Sequence, residues 1–307
     1  MTRGLTLIEL LVVIAILALL SGLAMSGIGS LRESARLVEC TNKVRQISLA
    51  VQQHASSWNE FPTIRDSETN HVGDPWADLD PYLELSDQRR SLSLWLTKQT
   101  PVIYSCPSDP VDGSNYRFNH GSSITWTQSL TQYFQDAANG PVIFGNSVRP
   151  TDVMDGLSNT AVVSERLCGI GYRTKLRSIL VGPSFRAFGT HHRTDHAIES
   201  EWMRLNWDSV VVSTFDTAGT NPSEYGYHRA VYNHTLTPND PQSCTFSGGF
   251  SSEAQVGFVG ASSTHRGLVV VGMLDGSTHT KTDSVDLSVW AALGDIDDRS
   301  VGPDWSR

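Results

Sequence analysis

The chain has little of what most function classes require. Lysine and arginine number 23 against 32 aspartates and glutamates, a formal net charge of −9, and no basic stripe interrupts that balance. Nucleic-acid binders draw affinity from cations set against phosphates, so nucleic acid is not expected as a partner. The four cysteines, Cys40, Cys106, Cys168 and Cys244, stand far apart with no C-x-x-C pair, which removes the usual zinc-ribbon and dithiol redox signatures. There is no G-x-S-x-G, no H-E-x-x-H and no glycine-rich phosphate loop after a strand, so no hydrolase elbow, zincin helix or nucleotide cradle can be placed. No internal repeat is visible, which argues against solenoids and propellers. An enzyme is not expected, and no cofactor apart from one calcium candidate considered below.

What the chain does have is a long apolar run at its start. Residues 10–20 include no polar side chain, and residues 5–28 carry a single charge, Glu9. A run of that length can cross a hydrocarbon core as a helix of roughly 20 residues. An ionised carboxylate in lipid costs roughly 3 kcal/mol or more and persists only where it has a partner. The competing reading is a cleavable secretory signal with Ala24-Met25-Ser26 as its small-x-small cut site. Loop charge leaves orientation open, because Arg3 precedes the run while Arg32, Arg36, Lys43 and Arg45 follow it.

Beyond the run the pattern becomes periodic. Leu31, Ala35, Val38, Val44, Ile47, Val51 and His54 recur at three and four, one face of a continuing helix. Arg32, Glu33, Arg36, Glu39, Lys43 and Arg45 fall on the other face, and Pro62 ends the helix by about Phe61. Such a helix from residue 5 to 58 is roughly 80 Å long at 1.5 Å per residue. The expected division is a leader at 1–4, a transmembrane helix at 5–28, its amphipathic continuation at 29–61 and a globular head at 62–307. About 240 residues beyond the helix and its stalk suffice for a buried core. The head is dense in glycine, proline and turn residues. We expect a helix at 87–98 and strands at 102–104, 160–164, 179–181, 210–214 and 267–274. The fold class is α+β, a long helix packed on an antiparallel-sheet head.

The run Leu5-Thr6-Leu7-Ile8-Glu9-Leu10-Leu11-Val12-Val13-Ile14-Ala15, preceded by Arg3-Gly4, resembles the leader of type IV prepilins. The resemblance implies cleavage between Gly4 and Leu5 by a prepilin peptidase and N-methylation of Leu5. It also implies that Glu9 faces the amine of a neighbouring subunit. The family usually carries phenylalanine where this chain has Leu5.

In the head, Cys106-Pro107-Ser108-Asp109-Pro110, the run from Asp152 to Thr160, Asn233-His234 with Pro238-Asn239, and a terminal box extend the likeness. In that box nine residues separate His265 from Asp275-Gly276. The chain resembles a large bacterial prepilin-like family with a head of unknown function and this His-x9-Asp-Gly terminus, for which no chemistry carries over.

Read from its residues alone, the box is a hairpin in which Asp275-Gly276 forms a type I′ turn and Asp275 accepts from nearby amides. His265 is a satisfied structural histidine, hydrogen-bonding across to the hairpin, or a metal ligand with His279. Asp152, Asp155, Ser158 and Asn159 offer hard oxygens around a glycine, which suits calcium; Asx-turn chemistry explains the same residues without an ion. The cluster His191-His192-Arg193-Thr194-Asp195-His196 is a zinc candidate or an exposed loop. If the head is extracytoplasmic the cysteines form one or two disulfides, with three pairings open, or else remain four buried thiols.

The reading that follows is a pilin-like or pseudopilin-like structural subunit, anchored in the inner membrane with its head in the periplasm or at the cell surface. Its expected partners are prepilin peptidase and copies of itself or other pilin-like subunits in a filament or secretion pseudopilus. The alternative is a membrane-tethered module that binds a saccharide, peptide or ion and never polymerises.

Overall fold

A computed structural model describes residues 7–64, 75–85, 100–123, 138–143, 147–171, 174, 176–182, 213–215, 218–220, 230–246 and 257–297, without the side chains of 23–28, 180–182, 213–215 and 245–246. The expected helix at 87–98 and the histidine cluster at 191–196 lie outside the described residues, as do Gly4 and Leu5.

One helix, α1, runs from Leu7 to Trp58. It ends where Asn59 takes a left-handed φ of 57° and donates its amide to Ala55 O at 2.8 Å, a conformation asparagine tolerates better than most residues. Cys40, Val44, Ile47, Val51 and Ala55 form its buried face, the three-and-four spacing that the sequence displays. The face begins later than expected, since Leu31 is 70% exposed and Val38 59%. Among the described apolar side chains of α1 upstream of Cys40, Leu37 alone leans on the core. Lys43, expected on the solvated face, is instead buried, its Nζ donating to Ser105 O at 2.9 Å and pairing with Glu39 at 2.9 Å.

The main sheet has the order β5-β1-β2-β8-β9. Its strands are β1 (Tyr116–Asn119), β2 (Ala161–Glu165), β5 (Val231–Tyr232), β8 (Leu268–Met273) and β9 (Thr278–Thr282). All its pairs are antiparallel except β1 with β5. A second sheet, β4-β3-β6-β7, joins Ser213–Phe215, Ile179–Gly182, Cys244–Phe246 and Gly257–Phe258, and there β3 and β6 run parallel. The fold is therefore α+β with a sheet that is mostly, not wholly, antiparallel.

Strand β8 reads as one apolar run because both its faces are covered. Val270 packs into the core that includes Val44, Ile47 and Val51 of α1. Val269, Val271 and Met273 face Tyr232 and Trp290, the latter on α3 (Leu287–Ala292). Asp286 caps α3, accepting from the Ser288 amide at 2.8 Å. Helix α1 rests on β8 so closely at Gly272 that a Cβ there would collide with Ser48 Oγ and lie 2.9 Å from Val44 and Val163.

Two local expectations change. Residues Val102–Tyr104 form a 3-10 turn after Pro101, with no strand pairing. A turn lets Tyr104 bury completely while Val102 stays exposed. The β8–β9 hairpin is present, but its turn is not type I′, because Gly276 alone has positive φ, 81°, while Asp275 does not. Gly276 N donates to Met273 O at 3.0 Å and Met273 N to Ser277 O at 2.9 Å. An ordinary turn is thus followed by a left-handed glycine. Asp275 Oδ1 accepts from the Ser277 amide at 2.9 Å.

This turn also touches α1, since a Cβ on Gly276 would lie 2.7 Å from Leu49 Cδ2. Gly276→Val is expected to lower stability by about 2–3 kcal/mol, through a β-branched residue at positive φ and a clash with the helix. An unchanged melting temperature in a thermal scan would rule out that role for the turn.

Candidate functional site

Among the described residues, a dense group of chemically capable side chains lies where α1 meets the head. Cys40 on α1 is joined to Cys106, in the loop after the 3-10 turn, with Cα atoms 5.4 Å apart. Against this bridge stands His265, from the loop that leads into β8, its side chain only 2% exposed. Its Nδ1 lies 2.8 Å from Glu33 Oε1 on α1. Its Nε2 lies 3.4 Å from Glu165 Oε1 at the end of β2 and 3.7 Å from Cys106 Sγ. Burial resists a charge on this imidazole, but the Glu165 and Glu33 carboxylates outweigh burial and hold its proton above the ordinary histidine range.

Each member is fixed by further bonds. Ser108 Oγ donates to Glu33 Oε1 at 3.0 Å, Val270 N to Glu165 Oε2 at 2.9 Å, and His265 N to Ser263 Oγ at 3.0 Å. The Cys106 amide donates to Asn115 Oδ1 at 2.9 Å. Asn115 Nδ2 in turn donates to Asp109 Oδ2 at 2.7 Å, and Arg177 holds the other oxygen of Asp109 at 2.7 Å. Beside the junction is a cavity of about 10 Å³ lined by Cys106, Asp109, Asn115, Glu165, Arg166 and their neighbours. That is room for about one water, and no substrate fits. A wider groove of about 710 Å³ beside the last turns of α1 has Gln52, Gln53, Asn59, Phe61 and Tyr82 in its lining, with no acid, base or cysteine. The junction is built to hold the helix on the head.

Residues 29–288 match the family described as "Protein of unknown function (DUF1559)". The chain belongs to this family. Residues 1–25 match the prokaryotic N-terminal methylation motif, which makes the chain a pilin-like subunit and implies processing by a prepilin peptidase. No curated protein and no solved structure matches. Neither family description names a catalytic activity. The family's match takes in every residue of the junction from Glu33 to His265, and the methylation motif takes in Gly4, Leu5 and Glu9.

The remaining sequence candidates are dispersed. Glu9 occupies an exposed helical position of α1. His279, on β9, is exposed and within 3.4 Å of Ser277 Oγ; His265 turns instead to Glu33 and Glu165, so the two do not form a metal pair. Asp152 meets Arg149, whose Nε and Nη2 each lie 3.3 Å from a carboxylate oxygen. The backbone and side chain of Arg149 hold that carboxyl below its ordinary range. Asn159 Nδ2 donates to Asp155 O at 2.9 Å. The loop is thus tied by its own turn bonds.

Of the bonds that the three cysteine pairings allow, the one between Cys40 and Cys106 is formed, and Cys168 and Cys244 are buried outside any disulfide. Burial, with Asp109 nearby, pushes the Cys168 thiol up to about 12, so it stays protonated and inert. Sequence reasoning missed Glu33 and Glu165 as partners of His265. It also missed Arg166, fully buried with Nη1 donating to Ser243 Oγ at 2.8 Å and Gly260 O at 3.0 Å. Burial pulls that guanidinium down to about 9. Glu165-Arg166 closing the apolar run at 161–163 was the available signal, but it named no partner.

Proposed function

We propose that the chain is a structural subunit held in the inner membrane by residues 5–28, with its head extracytoplasmic, and that it packs helix against helix with copies of itself or other pilin-like subunits in a filament or secretion pseudopilus. The observation that carries this reading is the change of environment along one unbroken helix. The large apolar side chains from Leu7 to Leu20 are 49–79% exposed, whereas from Cys40 onward one face is buried in the head. A row of exposed leucine, isoleucine and valine that long needs a lipid or a neighbouring helix to cover it.

Among the described residues no helix is long and apolar enough to cross a membrane. The part of the run whose side chains are described, residues 7 to 22, spans about 24 Å at 1.5 Å per residue, short of the roughly 30 Å hydrocarbon core. The sequence stays free of charge from residue 10 to 31, and a segment of the length of 5–28 would span about 36 Å as a helix.

The N-terminal peptide of the membrane-extracted protein is expected to begin at Leu5 and to carry one methyl group on its amine, read by mass spectrometry. A terminus near Gly27 would instead establish a cleaved secretory signal and sink the anchor. Glu9→Ala is expected to leave insertion intact, because removing a charge lowers the cost of lipid burial, while reducing cross-linked ladders of subunits. Ladders unchanged in the variant would remove the role of Glu9 in assembly. A wild-type chain that never cross-links beyond a monomer would favour the tethered, non-polymerising binding module.

A further inference from the structure

The ligand atoms of Cys40, Cys106, Glu165 and His265 all lie within 4.8 Å of one another, and all four residues are buried. We infer that, once the Cys40–Cys106 bond is reduced, these four residues form a closed site for zinc or a similar borderline divalent cation.

Two of the ligand-to-ligand distances already match the edges of a tetrahedral site. Zinc bonds of about 2.3 Å to sulfur and 2.0–2.2 Å to nitrogen and oxygen at tetrahedral angles place N and S about 3.6 Å apart, and N and O about 3.4 Å apart. The separations found are 3.7 Å from His265 Nε2 to Cys106 Sγ and 3.4 Å from Nε2 to Glu165 Oε1. The two sulfurs, covalently joined in the disulfide, must part to about 3.8 Å around an ion. Breaking the bond frees the two sulfurs to part.

The oxygen aimed at this centre supports the reading independently. Glu165 Oε1 is buried with no hydrogen-bond partner, while Oε2 takes the Val270 amide. Its 3.4 Å approach to Nε2 is an ion-pair contact, not a good hydrogen bond. A metal would occupy the position that this oxygen and Nε2 both face. Glu33 completes the pattern: it takes the Nδ1 proton of His265 at 2.8 Å, which leaves the Nε2 lone pair for a ligand bond. Ligating histidines donate their other ring N–H in this way to a carboxylate, a backbone carbonyl or water. Two thiolates, one carboxylate and a neutral imidazole around a divalent ion sum to one negative charge.

The step balances with a dithiol as reductant. Its two thiols become a disulfide, and the two electrons and two protons pass to the sulfurs of Cys40 and Cys106. Ion binding then releases those two protons to solvent, together with the Nε2 proton wherever His265 is an imidazolium. The same junction is clamped by a covalent bond under oxidising conditions and by a metal under reducing ones.

The test uses the full-length protein in detergent micelles, reduced by a phosphine and titrated with cobalt(II). One equivalent per chain is expected, with a thiolate-to-cobalt charge-transfer band and the visible bands of a tetrahedral ion, both erased by zinc. The oxidised protein should show neither. Glu33→Gln, at a half-exposed position, should loosen cobalt by about 10- to 100-fold. Absence of the charge-transfer band in the reduced chain overturns the site, whether or not that chain keeps its circular dichroism before cobalt is added. Persistence of the band in Cys40→Ala/Cys106→Ala also overturns it, because the signal would then come from Cys168 or Cys244.

Discussion

Removing the bond between Cys40 and Cys106 is expected to lower stability by about 4 kcal/mol. The bridge closes a loop with a sequence separation of 66, and in the chain-entropy account a loop of that size restricts the unfolded state by about that amount. Among the described residues it is the only covalent tie between α1 and the head, and it sits at the upstream limit of the buried face of the helix. Beyond it towards the N-terminus the helix has few head contacts to compensate. Cys40→Ala/Cys106→Ala is the appropriate variant, since serine would bury hydroxyls at two nearly inaccessible positions. Denaturant unfolding of the full chain in detergent, with a chelator present, should show a lower midpoint. Hydrogen exchange should rise first in the first buried turns of α1, from residue 40 to 47. A loss below about 1 kcal/mol would mean that apolar packing of α1 against β8 and β2 holds the helix by itself, and that the bridge is dispensable for folding.

How much of this was legible depended on whether a residue's partners are local. The helix could be read because its buried positions Val44, Ile47 and Val51 repeat at the helical period, and β8 because both faces of a sandwiched strand are apolar. The hairpin turn could be placed from Asp275-Gly276, but its type could not, since that depends on the φ of Asp275. Strand β1 reads Tyr-Arg-Phe-Asn and is buried along its whole length. No alternation survives there, because Asn119 spends its amide protons on Ala161 O at 2.8 Å and Gly294 O at 2.7 Å. Strands β5 and β7 have two residues each, too few for any period to show. The exposure of Leu31 and Val38 was hidden because an apolar stripe looks the same whether a head or a neighbouring subunit covers it. The junction was the least legible part. His265 meets Glu33 across 232 residues of sequence and Cys106 across 159. Nothing near His265 in the chain announces either partner.

Acid is expected to unfold the head partly through His234. This side chain is fully buried between β5 and α3, stacked on Trp290 with ring centroids 4.1 Å apart. Its Nδ1 lies 2.7 Å from the Trp290 carbonyl, and its Nε2 lies 2.9 Å from the Tyr232 hydroxyl. The carbonyl can only accept, so Nδ1 carries the proton and Nε2 takes the Tyr232 hydroxyl. The ring is neutral and already satisfied at both nitrogens. Burial pulls its pKa from the ordinary 6.5 down to about 3, with the Trp290 carbonyl opposing the drop. Between those two values the unfolded chain binds a proton that the folded chain refuses, so stability falls as pH falls through that window and levels off below it. Above pH 6.5 the group makes no pH-dependent contribution. At about 1.4 kcal/mol per unit of pKa difference, the loss by pH 4 is about 3 kcal/mol. His234→Gln should be less stable than wild type at pH 7, having lost the stack and one of the two bonds. Because the variant has no imidazole to protonate, that deficit should shrink by about 3 kcal/mol between pH 7 and pH 4 in denaturant titrations of the two chains. Groups common to both chains cancel in the difference. A deficit that stays constant across the range would show that His234 protonates readily in the folded head, and that the α3 side of the sheet is open to water.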